Sequence, residues 1–317
     1  MKAVVIRDGA VWWDERPGPV AAADELVVRV EAAGLNGADI MQRAGGYPPP
    51  PGVPADIPGL ECAGTVEAVG EKVSGFGPGD KVMALVPGAG QAELAVVHER
   101  LALPVPSGLS AAEAGGFPEV FCTAHDALFS QAGLAMGERL LVTGAAGGVG
   151  VAAVQLGVAA GASVVASARD SSLHSRLAQL GAMPAEPEEA FSLGPFDVVL
   201  ELVGAESAAK ALGSLALWGR VVVIGMSAGG RADFNVGLLA SRRGTLRGST
   251  LRTRSLEEKA LVVRRAEHHV LPLVAAGRVK VLVDEVFPFE RAQDAYERFR
   301  RGGKFGKVVL GTHASAG

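Results

Sequence analysis

Only two cysteines, Cys62 and Cys122, occur in 317 residues. That excludes a disulfide framework and any four-thiolate zinc lobe; both thiols are expected to be small buried residues of a protein kept in a reducing cytoplasm. A strong charge of either sign is also missing. Lys and Arg number 30 and Asp and Glu 34, for a net charge of −4. Without a basic excess, nucleic acid is a poor main partner. The N-terminus, MKAVVIRDGAVWW, has no long apolar stretch, so no signal peptide is expected. Residues 140–168 carry no charge at all, over a length that would span a bilayer. Glycines interrupt them from Gly144 to Gly150 and no basic flank marks one side, which favours buried parallel strands of a soluble protein.

What is present points to two domains, since single cores stop growing near ~250–300 residues. Over the first ~115 residues, short β-like runs (VVIRDG, LVVRVEAAG, TVEAVG, FGPGDKVMAL, QAELAVVHE) are bounded by Gly, Pro or Asp. The tract Gly45–Pro51, GGYPPPP, cannot be a helix interior and reads as an extended surface loop carrying Tyr47. A helix is expected over 119–132. Strand–helix units then alternate: RLLVTG and VGVAAVQLGVAAG, SVVASA and SSLHSRLAQLG, FDVVLELVG and AAKALGSLALWG, then RVVVIGM. That alternation predicts an α/β fold with a doubly wound parallel sheet. From Ser255 one long helix, SLEEKALVVRRAEHHVLPLVAAG, is followed by the strand VLVDEVFPF, the helix ERAQDAYERFR and the strand KVVLG.

Residues 140–150 carry the central motif. A buried strand ends at Thr143-Gly144, and Gly147, Gly148 and Gly150 open a helix. A pyrophosphate needs a tight turn, backbone without Cβ, and a helix N-terminus aimed at the anion. The strict G-x-G-x-x-G would begin at Ala145, so AAGGVG is a variant. Its placement between a strand and a helix, with a second strand about twenty residues on, supports dinucleotide binding through Ala146, Gly147, Gly148 and Val149. At the end of that second strand an NAD site normally carries Asp or Glu. Here Ser167 and Ala168 are followed by Arg169, a guanidinium suited to the 2′-phosphate of NADPH, with NADH the weaker fit. Ser171 or Ser172 adds a hydroxyl. Asp170 either opposes the phosphate or caps the next helix. Gly225 and Met226 follow a parallel strand, at the end where dinucleotides bind.

The segments AAGLNGADIMQRAGGYPPPPG (32–52), IPGLECAGTVEAVG (57–70), GDKVMALVPGAGQAEL (79–94), FPEVFCTAHDAL (117–128), AAGGVG (145–150), GSTLRTR (248–254) and GKVVL (306–310) resemble the medium-chain dehydrogenase/reductase superfamily. Within it they resemble the zinc-independent quinone oxidoreductases, above all the tumour-suppressor-inducible subgroup. The resemblance implies a GroES-like, β-rich catalytic domain (1–118 and 256–317) interrupted by a Rossmann domain (119–255). It also implies NADPH in the cleft between them, and a homodimer. Zinc-dependent relatives have a cysteine ligand where this chain has Asn36 and a histidine where it has Leu60, so no metal is expected. By the same resemblance Asn36, Tyr47 and Thr123 surround the nicotinamide, and Ser249 to Leu251 line its pocket. Asn36 is expected to hydrogen-bond the nicotinamide or an acceptor carbonyl, and Tyr47 to stack on a ring or donate to a developing oxyanion. Asp39 is expected to be structural.

The chain departs from its relatives at several positions. His125 stands where many have Tyr and is expected to be a core histidine, with a proton relay as the sharper alternative. Ser172 and Met183–Ala185 stand where relatives hold the 2′-phosphate with Lys and Tyr, and Gly147 where the subgroup has Ser. Trp12-Trp13 is expected to pack in the core, His268-His269 to bind no metal, and the arginines of RTRS and SRRG to lie in solvated loops. The functional expectation is hydride transfer from NADPH to a quinone. Reduction of an activated C=C bond is its rival, and a non-catalytic NADPH-binding protein the reading from another class.

Overall fold

Short apolar runs bounded by Gly, Pro or Asp dominate the first hundred residues, and the chain there folds largely as strands with consecutive buried positions. The computed structural model describes residues 1–312 and divides into two compact units, Met1–Cys122 with Leu251–Gly317, and Thr123–Thr250. The last residues of the tail, 313–317, lie outside the described part.

In the first unit, β1 (Lys2–Arg7) and β2 (Ala10–Glu15) form an antiparallel hairpin. β3 (Glu25–Gly34), β4 (Glu61–Val69), β5 (Lys81–Leu85), β6 (Leu94–His98) and β7 (Ala102–Pro104) build an antiparallel sheet. The tail returns to it. Its strand Lys307–Gly311 runs antiparallel to β3, and Val283–Pro288 lies parallel on its outer side. Val28, Val30, Cys62, Val66, Val82, Tyr296 and Leu310 meet in the core, all essentially excluded from solvent. Burying one such side chain contributes about 1.5–3 kcal/mol, so the returning tail is held by apolar burial as well as by its ladder. Tyr296 is fully buried and donates its hydroxyl to Gln91 Oε1 at 2.9 Å, which keeps its polar end satisfied.

The second unit is a six-stranded, all-parallel sheet of β8 (Arg139–Val142), β9 (Ser163–Ser167), β10 (Met183–Ala185), β11 (Phe196–Glu201), β12 (Leu215–Val223) and β13 (Thr245–Gly248). Their spatial order is β10-β9-β8-β11-β12-β13. That is the 3-2-1-4-5-6 order of a doubly wound dinucleotide fold, with its switch point between β8 and β11. The uncharged run 140–168 folds as β8, the helix Gly148–Ala159 and β9, a buried strand–helix–strand. Among the described residues no helix is long and apolar enough to cross a membrane.

Four details correct the sequence reading. The helix expected from Ser255 is two, Leu256–His269 and Leu271–Ala275. Pro272 has no N–H for the ladder and its ring would clash with the carbonyl four residues earlier, so the chain restarts there. The helix expected to run through AAKALGSLALWG stops at Ala211, and β12 starts at Leu215. Part of the helix expected over 119–132 is π-wound at Asp126–Gln131, where the Ala132 N–H reaches Ala127 O at 3.0 Å. Trp12 is 56% exposed, whereas Trp13 stacks on Phe289.

Candidate functional site

The turn after β8 explains how alanine replaces the first glycine of the motif. The residue that adopts the left-handed conformation is Gly144, at φ +60°, one position earlier. Ala145 is therefore free to carry a methyl group, which is fully buried. Its N–H donates to Ser167 O at 2.9 Å, and the Gly147 N–H closes the turn on Gly144 O at 3.1 Å. Gly150 is needed for a different reason: a Cβ there would stand 2.5 Å from Ala145 O. Helix and strand could not pack as they do with any side chain at that position. Ala146, Gly147, Gly148 and Val149 remain half-exposed on the crook. The helix Gly148–Ala159 begins at Gly147 with no side-chain cap, so its first N–H groups face outward and suit a phosphate.

Two neighbouring strand ends complete this region. At the end of β9, Ser167 and Ala168 are buried and Arg169 is exposed. Asp170 is taken up locally. Its carboxylate accepts the Ser172 N–H at 3.1 Å and the Ser172 hydroxyl at 2.5 Å, which is the capping alternative. At the end of β11 stands Glu201, fully buried. It accepts from Val203 N at 2.6 Å, Gly204 N at 3.0 Å and Ser207 Oγ at 2.6 Å, and so shapes the loop beyond the strand. The Gly225 N–H reaches Glu201 O at 3.2 Å, and Met226 beside it is 52% exposed. Ser249 hangs from Val223 O at 3.0 Å. Glu201 went unread in the sequence, although a carboxylate closing the apolar run FDVVLE was a usable sign.

Thr123 opens the second unit and is 8% exposed. Among the described residues its hydroxyl has no hydrogen-bond partner. A buried hydroxyl left unbonded costs free energy. His125, two residues on, is buried with its ring 5.0 Å from Phe129.

In the first unit the expected residues sit in a web of buried polar groups. Asn36 caps the helix Gly37–Arg43, and the Asp39 carboxylate accepts Asn36 N at 2.8 Å and Gly59 N at 3.0 Å. Burial pushes the Asp39 carboxyl up to about 6 against those two donors. Both hydrogens of Asn36 Nδ2 are directed inward, to Glu61 Oε1 at 2.9 Å and Gly34 O at 3.4 Å. Its Oδ1 accepts from Lys307 Nζ at 2.7 Å. All three polar contacts of the Asn36 amide are therefore made within the first unit. Lys307 also donates to Leu35 O at 2.7 Å and pairs with Glu61 at 2.5 Å, both ions essentially out of solvent. Glu61 Oε2 takes the Glu119 N–H at 2.8 Å. The Glu119 carboxyl itself is pushed up to about 8, chiefly by burial and then by the Glu61 charge.

Tyr47 lies half-buried in the proline loop. Over its ring, 5.2 Å from the centroid, is the guanidinium of Arg252, which is only 5% exposed. The sequence reading put the RTRS arginines in a solvated loop; for Arg252 the structure overturns it. Leu251 is buried beside it in the chain.

Comparison with known proteins gives the family. Residues 22–131 match the alcohol dehydrogenase GroES-like domain and residues 182–310 the zinc-binding dehydrogenase family. Mouse quinone oxidoreductase is 30% identical over 92% of this chain and 90% of its own length. The chain belongs to the medium-chain dehydrogenase/reductase superfamily. Within it, it is a quinone-oxidoreductase-like member. The zebrafish synaptic vesicle membrane protein VAT-1 homolog is 31% identical over 93% of this chain, which spans 65% of that protein's length. The crystal structure of CurK enoyl reductase superposes with a TM-score of 0.83 at 27% identity, over 95% of each chain.

Proposed function

We propose that this protein transfers hydride from NADPH to a quinone without a metal. One observation carries the reading: the uncapped helix at Gly147–Gly148, set at the switch point of the parallel sheet, lies next to a strand end that presents Arg169 and no free carboxylate. The residues fit the cofactor. Gly147 to Val149 offer backbone N–H groups to the pyrophosphate, Arg169 a planar cation to the 2′-phosphate, and Thr123 an unbonded hydroxyl to a carboxamide. When bound, the reduced nicotinamide supplies the hydride. The chain's own part is to hold donor and acceptor and to manage protons. A quinone that accepts a hydride and a proton leaves as hydroquinone, and Tyr47 is the group proposed to donate that proton or to relay it from water.

Zinc does not fit the donor set. Asn36 offers an amide already spent on Lys307 and Glu61, and Leu60 offers a buried hydrocarbon, where a tetrahedral site would need thiolate and imidazole. No step is therefore routed through a metal. The likeness to CurK enoyl reductase supports a second reading, reduction of an activated C=C bond, in which Tyr47 would protonate the α-carbon. A homodimer formed along the exposed edge strand β13, in a reducing cytoplasm that suits the two buried thiols, belongs to the same proposal.

The test is steady-state oxidation of NADPH and NADH against a small quinone and a matched enone. Quinone turnover with NADPH preferred about tenfold is expected, and Arg169→Ala should erase that preference, a change of about 1.4 kcal/mol. Turnover of the enone alone would move the assignment to C=C reduction. Tight NADPH binding with neither acceptor reduced would sink the enzymatic reading.

A further inference from the structure

The loop that carries Tyr47 cannot fasten itself. Pro48 to Pro51 supply no N–H, so between Gly46 and Val53 only Tyr47 and Gly52 can donate from the backbone. Its internal bonds lie at the two ends, Gly46 N to Met41 O at 2.9 Å and Val53 N to Pro50 O at 3.3 Å. A loop of this kind is held by donors from elsewhere, and the structure supplies one buried source.

Arg252 spreads its fork over three segments. Nη1 donates to Tyr47 O at 3.0 Å, Nη2 to Gln42 Oε1 at 2.8 Å, and Nε to Pro87 O at 2.7 Å. Gln42 then passes its own Nε2 to Ala55 O at 3.0 Å, beyond the far end of the loop. All three acceptors are neutral oxygens, so these contacts do not form an ion pair. They use the number and planarity of guanidinium donors, which a lysine could not reproduce. The face of the same group lies against the Tyr47 ring at 5.2 Å, the distance of a cation–π contact.

We propose that Arg252 is a positioning residue: it pins the proline loop to the helix Gly37–Arg43 and to the turn at Pro87, and fixes the ring of Tyr47 against its own guanidinium. Its consequence for turnover rests on the role of Tyr47 in the reading above. Its consequence for the loop does not.

The experiment is a double-mutant cycle on the full chain with Arg252→Gln and Tyr47→Ala, read by quinone turnover, NADPH affinity and amide hydrogen exchange of residues 44–53. Arg252→Gln should speed exchange of those amides about tenfold and lower kcat/KM about tenfold, with the NADPH Kd held within about twofold. In the Tyr47→Ala background the same substitution should no longer lower turnover. Unchanged exchange in Arg252→Gln overturns the proposal, and so does a loss of turnover that persists without Tyr47. If the loop loosens but Tyr47→Ala leaves turnover intact, the pinning stands and the proton role of Tyr47 falls. Should Arg252→Gln fail to fold, Gln42→Leu removes one of the three acceptors and runs the same cycle.

Discussion

The two units of this protein solve the problem of polar groups in opposite ways. Around the crook of the second unit the work is done by backbone: a left-handed Gly144, an uncapped helix start, and a Gly150 that lets helix and strand touch. In the first unit it is done by buried ions and amides, Asn36, Asp39, Glu61, Lys307 and Arg252, each bonded to the next or to main chain. Backbone dipoles at a helix end cost little to bury. Ions removed from water must be paired and hydrogen-bonded almost completely. The first unit should therefore break hard when one member is removed, and the second should lose ligand before it loses fold.

The largest effect is expected at Lys307. Replacing it by Met leaves the buried Glu61 carboxylate without its cation and Asn36 Oδ1 without its donor, and should destabilise the chain by about 3–5 kcal/mol in urea unfolding. With Glu61→Gln already present, the same replacement should cost far less, because no charge is left unpaired. Equal costs in both backgrounds would show that Lys307 contributes packing rather than pairing. Dinucleotide affinity measured on whatever folds should be nearly unchanged.

Gly150→Ala probes the other half. The new Cβ would stand 2.5 Å from Ala145 O, a backbone atom that cannot swing aside. The crook must shift, and the Kd for NADPH should rise about 10–100-fold, or about 1.4–2.7 kcal/mol. The unfolding midpoint should move less than in Lys307→Met. A Kd within about twofold of the parent would mean that the crook is softer than its spacing implies.

The same contrast decides how much was legible in the sequence. A candidate site made of backbone needs local signs only, and AAGGVG between a strand and a helix supplies them within residues 140–150, with Arg169 following at the end of β9. The parallel order of the sheet follows from the alternation of strands and helices. The web in the first unit is assembled from positions 34 to 61, 119, 252 and 307, and nothing local marks them as neighbours. Arg252 reads like Arg254 two residues on, and only tertiary packing makes it a buried fork. Asn36 shows the same limit from the other side. The sequence marked the position, but the Lys307 that absorbs its carbonyl oxygen lies 271 residues away. Local propensity also misplaced the start of β12, because SLALWG suits a helix until its parallel neighbours impose a strand.

The smallest effect is also the one that reads the electrostatics of the web directly. Glu119 has an ordinary value near 4.5 and is raised to about 8, by burial first and by Glu61 second. Between those values the folded chain holds a proton that the unfolded chain has released, so stability falls as pH rises across the window and levels off above 8. Asp39 contributes in the same direction, but its window closes near 6. Comparing urea midpoints at pH 6.5 and pH 9 leaves Asp39 out, and a Glu119→Gln variant separates Glu119 from the Cys62 thiol, which burial also pushes up. Glu119 as a residue is half-buried, so the effect is discounted for solvent screening, and the parent should lose about 1 kcal/mol over this interval. Glu119→Gln keeps the backbone N–H that Glu61 accepts and removes only the titration, so its midpoints should nearly coincide. If parent and variant decline in parallel, the titrating proton belongs to another group and not to Glu119.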